Sequence, residues 1–408
     1  MKILMVNKFF SRKGGSEAYM FDLADLLRSS GHQIIFFSMH DVGNDKSEYA
    51  KFFVSNVNFN ANSGRRLNHL RAAFRLLYSL EAQRKLKALL EQERPDVAHL
   101  HNYNFQITPS ILKVLKQFNV PIVWTLHDYK IICPNYKLFT QGTVCDRCKK
   151  QRYYECVRNR CMKNSRTKSL LAMAEMYLHR CVLRSYDLID VFIAPSRFLA
   201  RISGEWGIDR QRMIQLYNFV DSARFAWADL SLGEGLVYFG RLMEEKGLLV
   251  LLQAVKALPH INLVVVGEGP EKEKIQQYIH ENNMTNVKMA GFKKGEDLYR
   301  LVHQARLVIV PSLWHENNPI SVLEAFAMGK AVIASDLGGL PELIQNGQNG
   351  FLFPAGDAQS LQATILDLYN DTDTILCMQK RARSFVEKNF SVDLHCKAIE
   401  QVYRKILA

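Results

Sequence analysis

Short apolar runs alternate with longer stretches of helical period along the whole chain. KILMVN at the start gives way to a Gly-Gly turn, then EAYMFDLADLLRSSG repeats its apolar residues at helical spacing, and HQIIFFSM is continuously apolar again. DVAHLHN, VPIVWTLHD, DLIDVFIAPS and MIQLYNFV continue the series. GLVYFGR, NLVVVGEG, NVKMAG, RLVIVPS and AVIASD repeat it in the second half. Uninterrupted apolar strands need cover on both faces, and the helices between them supply it, so the pattern predicts parallel sheets of an α/β protein. Two doubly wound, Rossmann-like domains follow, at 1–218 and 219–385, with a hinge near Asn218–Asp221. A closing helix over 386–408 is expected to pack back on the first domain. Ligands of open α/β sheets bind beyond the carboxyl ends of strands, so the loops leaving each strand are where chemistry is sought.

Composition narrows the class. A chain of 408 residues is too long for one ordinary core, and 48% hydrophobic with 23% charged residues is a globular balance. No apolar run approaches the roughly 18 residues of a membrane span, no repeat of 20–50 residues is visible, and MKILMVNKFF reads as a first strand rather than a signal peptide. Residues 1–220 hold 34 Lys and Arg against 18 Asp and Glu, a net of +16, whereas the remainder holds 19 against 22. A basic half suits a polyanion, an anionic membrane surface or a phosphorylated substrate. Eight cysteines without a leader point to reduced thiols or metal ligands, and to the cytoplasm.

Three strand exits in the second half carry candidate chemistry. RLVIVPS leads into WHENNPISVLEAFAMGK, where Asn318 is placed as helix N-cap, Pro319 as first helical residue and Gly329 as the stop. Glu316 then precedes the free amides around Ile320 and Ser321, an anion site at a positive helix end, and Glu324 lies inside the helix. Spacing alone also fits an exposed loop glutamate and a solvated helix glutamate. GRLMEEKG puts Arg241 and Lys246 at another strand end, where two cations suit a leaving diphosphate. GEGP, with Gly267, is a tight turn that admits close backbone approach. In the first half, Gly14 and Gly15 follow the first strand, and His127 and Asp128 end PIVWTL.

The fixed order of KGGSE, TLHD, APS, GRLMEEKG, GEGP and Glu316-x7-Glu324 resembles the family-4 group of retaining glycosyltransferases with the GT-B fold, two Rossmann-like domains facing each other across a cleft. The resemblance spans essentially the whole chain. It implies that Arg241 and Lys246 hold the donor diphosphate, that Glu316 contacts the transferred sugar and that Glu324 contacts the ribose. It further implies that Asn317, Asn318, Pro319 and Ile320 reach sugar and phosphate through backbone, that Gly291 and Phe292 flank the base, and that the Gly14–Gly15 loop covers the diphosphate. His127 would position the sugar, oriented by Asp128. The family supplies no clear carboxylate nucleophile, the departing phosphate taking the acceptor's proton, and none of these motifs carries a D-x-D for a metal. No catalytic cofactor is therefore expected. The donor is read as a nucleotide sugar, UDP-linked first, and the acceptor as a glycan or lipid-linked hydroxyl in cell-surface glycan synthesis.

Two stretches stand apart. CDRCKKQRYYECVRNRC places Cys145, Cys148, Cys156 and Cys161 as candidate ligands of a structural Zn²⁺ in an insert at about 133–165, with Cys133 as a spare. The helical pattern from residue 65 has an apolar stripe of Leu67, Leu70, Phe74, Leu77 and Leu86 flanked by basic residues. It covers the sheet, and its basic face is a candidate contact for an anionic membrane on the cytoplasmic side. A basic, zinc-containing nucleic-acid binder is the competing class, disfavoured because no binding module or interleaved aromatics accompany the arginines. A nucleotide-sugar epimerase or a phosphorylase on the same architecture is the other, against which the Glu316–Glu324 and Arg241–Lys246 pairs argue. The absent G-x-G-x-x-G lowers a dehydrogenase reading.

Overall fold

The computed structural model describes residues 1–12, 14–56, 66–225 and 232–408. Two compact units divide the chain. Met1–Thr140, Cys145–Leu216 and Cys396–Ala408 form the first; Gln141–Val144 and Tyr217–His395 form the second.

In the first unit, β1 (Lys2–Val6), β2 (Gln33–Phe37), β3 (Val97–Leu100) and β4 (Ile122–Thr125) are joined by β7 (Val191–Ala194) and β8 (Met213–Gln215). Two two-residue strands, β5 (Phe139–Thr140) and β6 (Thr143–Val144), lie in the insert. The six-stranded sheet is parallel, in the order β2-β1-β3-β4-β7-β8. The chain runs outward from β1 to β2 and then returns to the other side of β1 as β3. That reversal makes the β1/β3 edge a topological switch point.

The second unit repeats the plan with β9 (Leu236–Phe239), β10 (Leu263–Val266), β11 (Val287–Gly291), β12 (Leu307–Val310), β13 (Ala331–Ser335) and β14 (Gly350–Phe353), ordered β11-β10-β9-β12-β13-β14 and again parallel. Its switch point lies between β9 and β12. Alternate residues of these strands feed two separate cores: Leu236, Leu263, Val265, Leu307 and Ile309 enter one, while Val237, Val266, Val308 and Val332 enter the other. Successive side chains of a strand leave by opposite faces, which is why the sequence shows unbroken apolar runs rather than alternation.

Two expected helices are each divided. The basic segment is two helices, Arg66–Leu77 and Leu80–Glu93, because Ser79 interrupts it. Ser79 is fully buried, and its Oγ accepts from Ala82 N at 3.1 Å as an N-cap. The break ends the expected continuous stripe: Leu86 is buried, Phe74 is 69% and Leu80 70% exposed, and the side chains of Leu67 and Leu70 lie outside the described residues. The region 386–408 is likewise divided between Thr372–Asn389 and Val392–Leu407. Phe390, buried in the second core, ends the one, and Ser391 Oγ accepts from Leu394 N at 3.4 Å to start the other. Within the first unit, Tyr403 on the last helix meets His99 Nδ1 at 2.7 Å.

Candidate functional site

Both strands that flank the second switch point lead into candidate residues. After β9 comes the loop with Arg241 and a 3-10 turn, Glu244–Lys246. After β12 comes the segment to the helix Ile320–Ala327. Lys246 Nζ lies 2.6 Å from Glu316 Oε1, and Ser312 Oγ donates to the same oxygen at 2.6 Å. The Lys246 ammonium also stands 5.2 Å from the Trp314 ring centroid, a cation–π distance. Glu316 is 4% exposed. Burial would raise its carboxyl, yet the Lys246 charge and donors from Lys246, Ser312 and Trp314 hold it below the usual carboxylate range. It is thus a fixed, ionised acceptor, and its charge is already balanced by Lys246. Arg241, by contrast, is exposed, and among the described residues its guanidinium makes no ion pair. One cation is braced and the other is open at the same strand end.

The loop after β10 explains the G-x-G turn. A Cβ on Gly267 would lie 1.9 Å from Gly240 O, and one on Gly269 would lie 2.2 Å from Leu242 O. The two glycines admit the backbone of the Arg241 loop, which Leu242 N fastens to Glu268 O at 3.0 Å and Glu271 N to Leu242 O at 3.1 Å. Gly267 N donates in turn to Gly291 O at 2.9 Å, and Phe292 beyond it is 61% exposed. These three loops of neighbouring strands are stitched into one rim.

The helix start differs from the expected cap. Pro319, not Asn318, occupies the N-cap, Ile320 is the first helical residue, and no side chain caps the helix. Asn318 is used elsewhere: its Oδ1 accepts from Asn218 N at 3.0 Å and its carbonyl from Asn218 Nδ2 at 2.7 Å. The first amides are therefore left uncapped at the positive helix end. Gly329 stops the helix as expected, with φ +66° and a Schellman pattern of Gly329 N to Phe326 O and Lys330 N to Ala325 O. Glu324 is half-buried on this helix. Sequence reasoning missed Gly338 and Gly339, whose signal is the Gly-Gly of DLGGLPE after β13. Glu316 pairs with Gly338 in a strand-like bridge, Gly339 N donates to Glu316 O at 2.6 Å, and a Cβ on Gly339 would meet Asn317 O at 1.8 Å. Ser312 and Trp314 were missed as well. The one D-T-D run, Asp371–Asp373, caps a helix, with Asp371 Oδ1 accepting from Thr374 N at 3.0 Å.

In the first unit the predicted residues also sit beyond strand ends. Gly14 is the extended N-cap of the helix Gly15–Ser29. Lys8 N donates to Asn102 O at 2.7 Å and Asn102 N to Asn7 Oδ1 at 2.9 Å, closing the β1/β3 switch point. His127, after β4, is half-buried, and desolvation lowers its ring to about 3, so it is neutral. Asp128 does not orient it: its Oδ1 accepts from Lys130 N at 2.9 Å, closing its own turn. The partner of His127 Nε2 is His101 Nδ1, at 3.0 Å.

Cys133, Cys145, Cys148, Cys156 and Cys161 all line one cavity of about 10 Å³, room for a single atom-sized guest. None forms a disulfide. Among the described residues no group of three or more His, Cys, Asp or Glu side chains is arranged to hold a metal ion. No helix of the described residues is long and apolar enough to cross a membrane.

Comparison with known proteins bears on the fold and the family. A crystal structure of Anabaena HepE with UDP and glucose superposes with a TM-score of 0.68 at 20% identity, covering 98% of this chain and 99% of that one. Sucrose-phosphate synthase from Thermosynechococcus elongatus gives 0.72 at 19% identity over 100% and 99%. At these identities the likeness establishes the fold, GT-B. In sequence, an uncharacterized glycosyltransferase of Methanocaldococcus jannaschii is 23% identical over 100% of this chain and 99% of its own. The amylovoran biosynthesis glycosyltransferase of Erwinia amylovora is 30% identical over 41% of this chain and 43% of its own. Residues 233–385 match the Glycosyl transferases group 1 family, and residues 13–224, more than half of the chain, match Glycosyltransferase Family 4. With two parallel sheets of this order and the predicted motifs at their strand ends, the chain belongs to Glycosyltransferase Family 4.

Proposed function

We propose that the protein moves a sugar from a nucleoside diphosphate sugar, UDP-linked first, to an acceptor hydroxyl with retention of anomeric configuration. The observation that carries this reading is the Lys246–Glu316 pair and the open Arg241 at the β9/β12 switch point, beside an uncapped helix N-terminus. Two cations and free amides meet a diphosphate, and an ionised, braced carboxylate accepts from a sugar hydroxyl. In the transfer the anomeric carbon–phosphate oxygen bond breaks, a bond to the acceptor oxygen forms on the same face, and the acceptor's proton passes to the departing phosphate. Glu316 is read as a positioner, because a carboxylate whose charge Lys246 already balances is a poor nucleophile. Glu324 takes the ribose, Gly291 and Phe292 the base, the Asn317–Ile320 backbone the sugar and phosphate, and the Gly14–Gly15 loop covers the diphosphate. The crystal structures of Anabaena HepE with UDP and glucose and with UDP-glucose support the choice of nucleotide. A thermal-shift panel of UDP-, GDP- and ADP-sugars tests it. At a hundredfold excess over Kd a cognate donor raises Tm by about 5 °C, and Arg241→Ala and Glu324→Ala abolish the shift. Failure of every nucleotide sugar to stabilise the wild type, or full shifts in both variants, overturns the reading.

A polysaccharide or lipid-linked acceptor is favoured by relatives named for amylovoran and colanic acid biosynthesis. Exposed Phe74 and Leu80 among basic residues support a peripheral contact with anionic lipid on the cytoplasmic face. Vesicles containing phosphatidylserine retain the protein at low salt and release it at high salt if this holds; no retention at low salt ends it. The five thiols around one cavity support a structural Zn²⁺ held by Cys145, Cys148, Cys156 and Cys161, stiffening the insert rather than catalysing. Elemental analysis of protein purified without chelator finds stoichiometric zinc that Cys145→Ser and Cys148→Ser lose, and metal-free wild-type protein excludes it.

A further inference from the structure

Two loops at the carboxyl edge of the first sheet each carry an aromatic residue in a backbone state that bulky side chains avoid. Phe105, after β3, has φ +68°, and Tyr136, after β4, has φ +56°. Among the described residues they are the aromatic positions of the left-handed region. β3 and β4 pair side by side, Ala98 with Ile122 through Leu100 with Trp124. The two rings meet edge to face, with centroids 6.5 Å apart at 68°, and both residues are half-buried.

The turn that carries Phe105 is closely tied. Gln106 N donates to Asn104 O at 3.0 Å, and Ile107 N and Thr108 N donate to Tyr103 O at 3.3 and 3.1 Å, which leaves Phe105 at the apex. Tyr103 is fully buried, its ring edge-on to Trp124 at 5.0 Å. The ammonium of Lys130 stands 4.4 Å from the Phe105 ring centroid. Lys130 is itself buried and paired with the buried Glu175. A bulky left-handed residue is strained, and such strain collects at ligand clamps. A buried ion pair recovers little beyond the cost of its own desolvation. Stability explains neither device, and both converge on one half-buried ring.

The surroundings of that ring select its guest. Asn102, Gln106 and Lys137, on the same two loops, are half-buried polar side chains, poor company for a lipid chain. A pyranose suits both features. Its C–H face packs on an aromatic ring, and its hydroxyls, each donor and acceptor, meet a polar rim. We propose that Phe105, with Tyr136 edge-on beside it, is the stacking platform for the acceptor's sugar ring, and that Lys130 and Glu175 hold the platform in place. This rests on the glycosyl-transfer reading and gives its acceptor a place on the first unit.

Saturation-transfer difference NMR, irradiating aromatic protons with no donor added, tests it on methyl pyranosides of glucose, galactose, mannose and N-acetylglucosamine, with uridine as control. At least one pyranoside receives saturation at its ring C–H protons in the wild type. Phe105→Leu weakens binding of that sugar about tenfold, and Phe105→Trp, which keeps an aromatic face, retains it. If Phe105→Leu does not fold, protein deuterated except at phenylalanine decides: transfer to the sugar is seen in the wild type and lost in Phe105→Trp. No transfer to any pyranoside, transfer to uridine alone, or unchanged binding in Phe105→Leu overturns the proposal. A sugar held on Phe105 in a protein that no nucleotide sugar stabilises refutes the transfer reading alone. A donor-stabilised protein without this contact refutes the platform alone.

Discussion

Lys246→Met is expected to abolish transfer and to destabilise the second unit, with a pH dependence opposite to that of most carboxylate defects. In the wild type, burial works against the Glu316 carboxylate, and Lys246 and its fellow donors outweigh it. Removing the ammonium 2.6 Å away takes out the charge and leaves only the Ser312 and Trp314 donors against burial. The Glu316 pKa then rises above its unfolded value, so the folded variant binds a proton that the unfolded chain does not. Stability of the variant must therefore increase as pH falls toward about 5, and the deficit must be largest at neutral pH. Breaking a buried pair costs about 3–5 kcal/mol, and the lower end applies here because the lysine side chain keeps 19% exposure. Glu316→Gln in the same chain removes the stranded charge and restores most of the stability. It does not restore transfer, for which loss of one preorganised cation is worth roughly 10²–10³ in kcat/KM. Urea unfolding of single and double variants at pH 7.5 and 5.5, beside donor turnover, separates the two effects. A Lys246→Met protein as stable as wild type at both pH values would show that the pair does not hold the loop.

Gly247→Ala is the second large effect, and it acts on geometry rather than charge. Gly247 follows Lys246 with φ +67°, in the left-handed region, and a Cβ there would lie 1.8 Å from Pro311 O. Strain in the residue and overpacking against a carbonyl each cost about 1–3 kcal/mol. Since that carbonyl belongs to the β12 exit, the clash drives apart the two loops that the Lys246–Glu316 pair joins. A loss of about 3 kcal/mol in urea unfolding is expected, together with weaker donor binding by calorimetry. Wild-type affinity in a folded Gly247→Ala protein would mean that the separation of these loops does not govern the site.

How much of this was legible in the sequence depends on whether the determining contact is local. LVIV and LVVV read as strands because both faces are buried, and Gly329 reads as a helix stop because a left-handed residue is needed there. The pairing of Lys246 with Glu316 spans 70 residues and exists only because β9 lies beside β12, an adjacency that no run of residues states. Ser79 looked like an ordinary residue within a helical period until its hydrogen bond to Ala82 showed a second helix beginning. Asn318 has the right identity for a cap, but Asn218 holds its oxygen atoms. His101 is hidden inside a strand-like HLHN, and its contact with His127 spans 26 residues and exists only because β3 lies beside β4.

The division of each second-unit strand between two cores restricts where this protein can change. Adding or deleting one residue in Leu307–Val310 would turn every following side chain to the opposite face and disturb both interiors together. Extending the stretch between Val310 and Ile320 would leave the facing of the strand residues as it is. New donor preferences can accordingly arise by editing the tips while the barrier to editing the strands stays high, so variation among descendants of this chain should collect at one rim of the sheet.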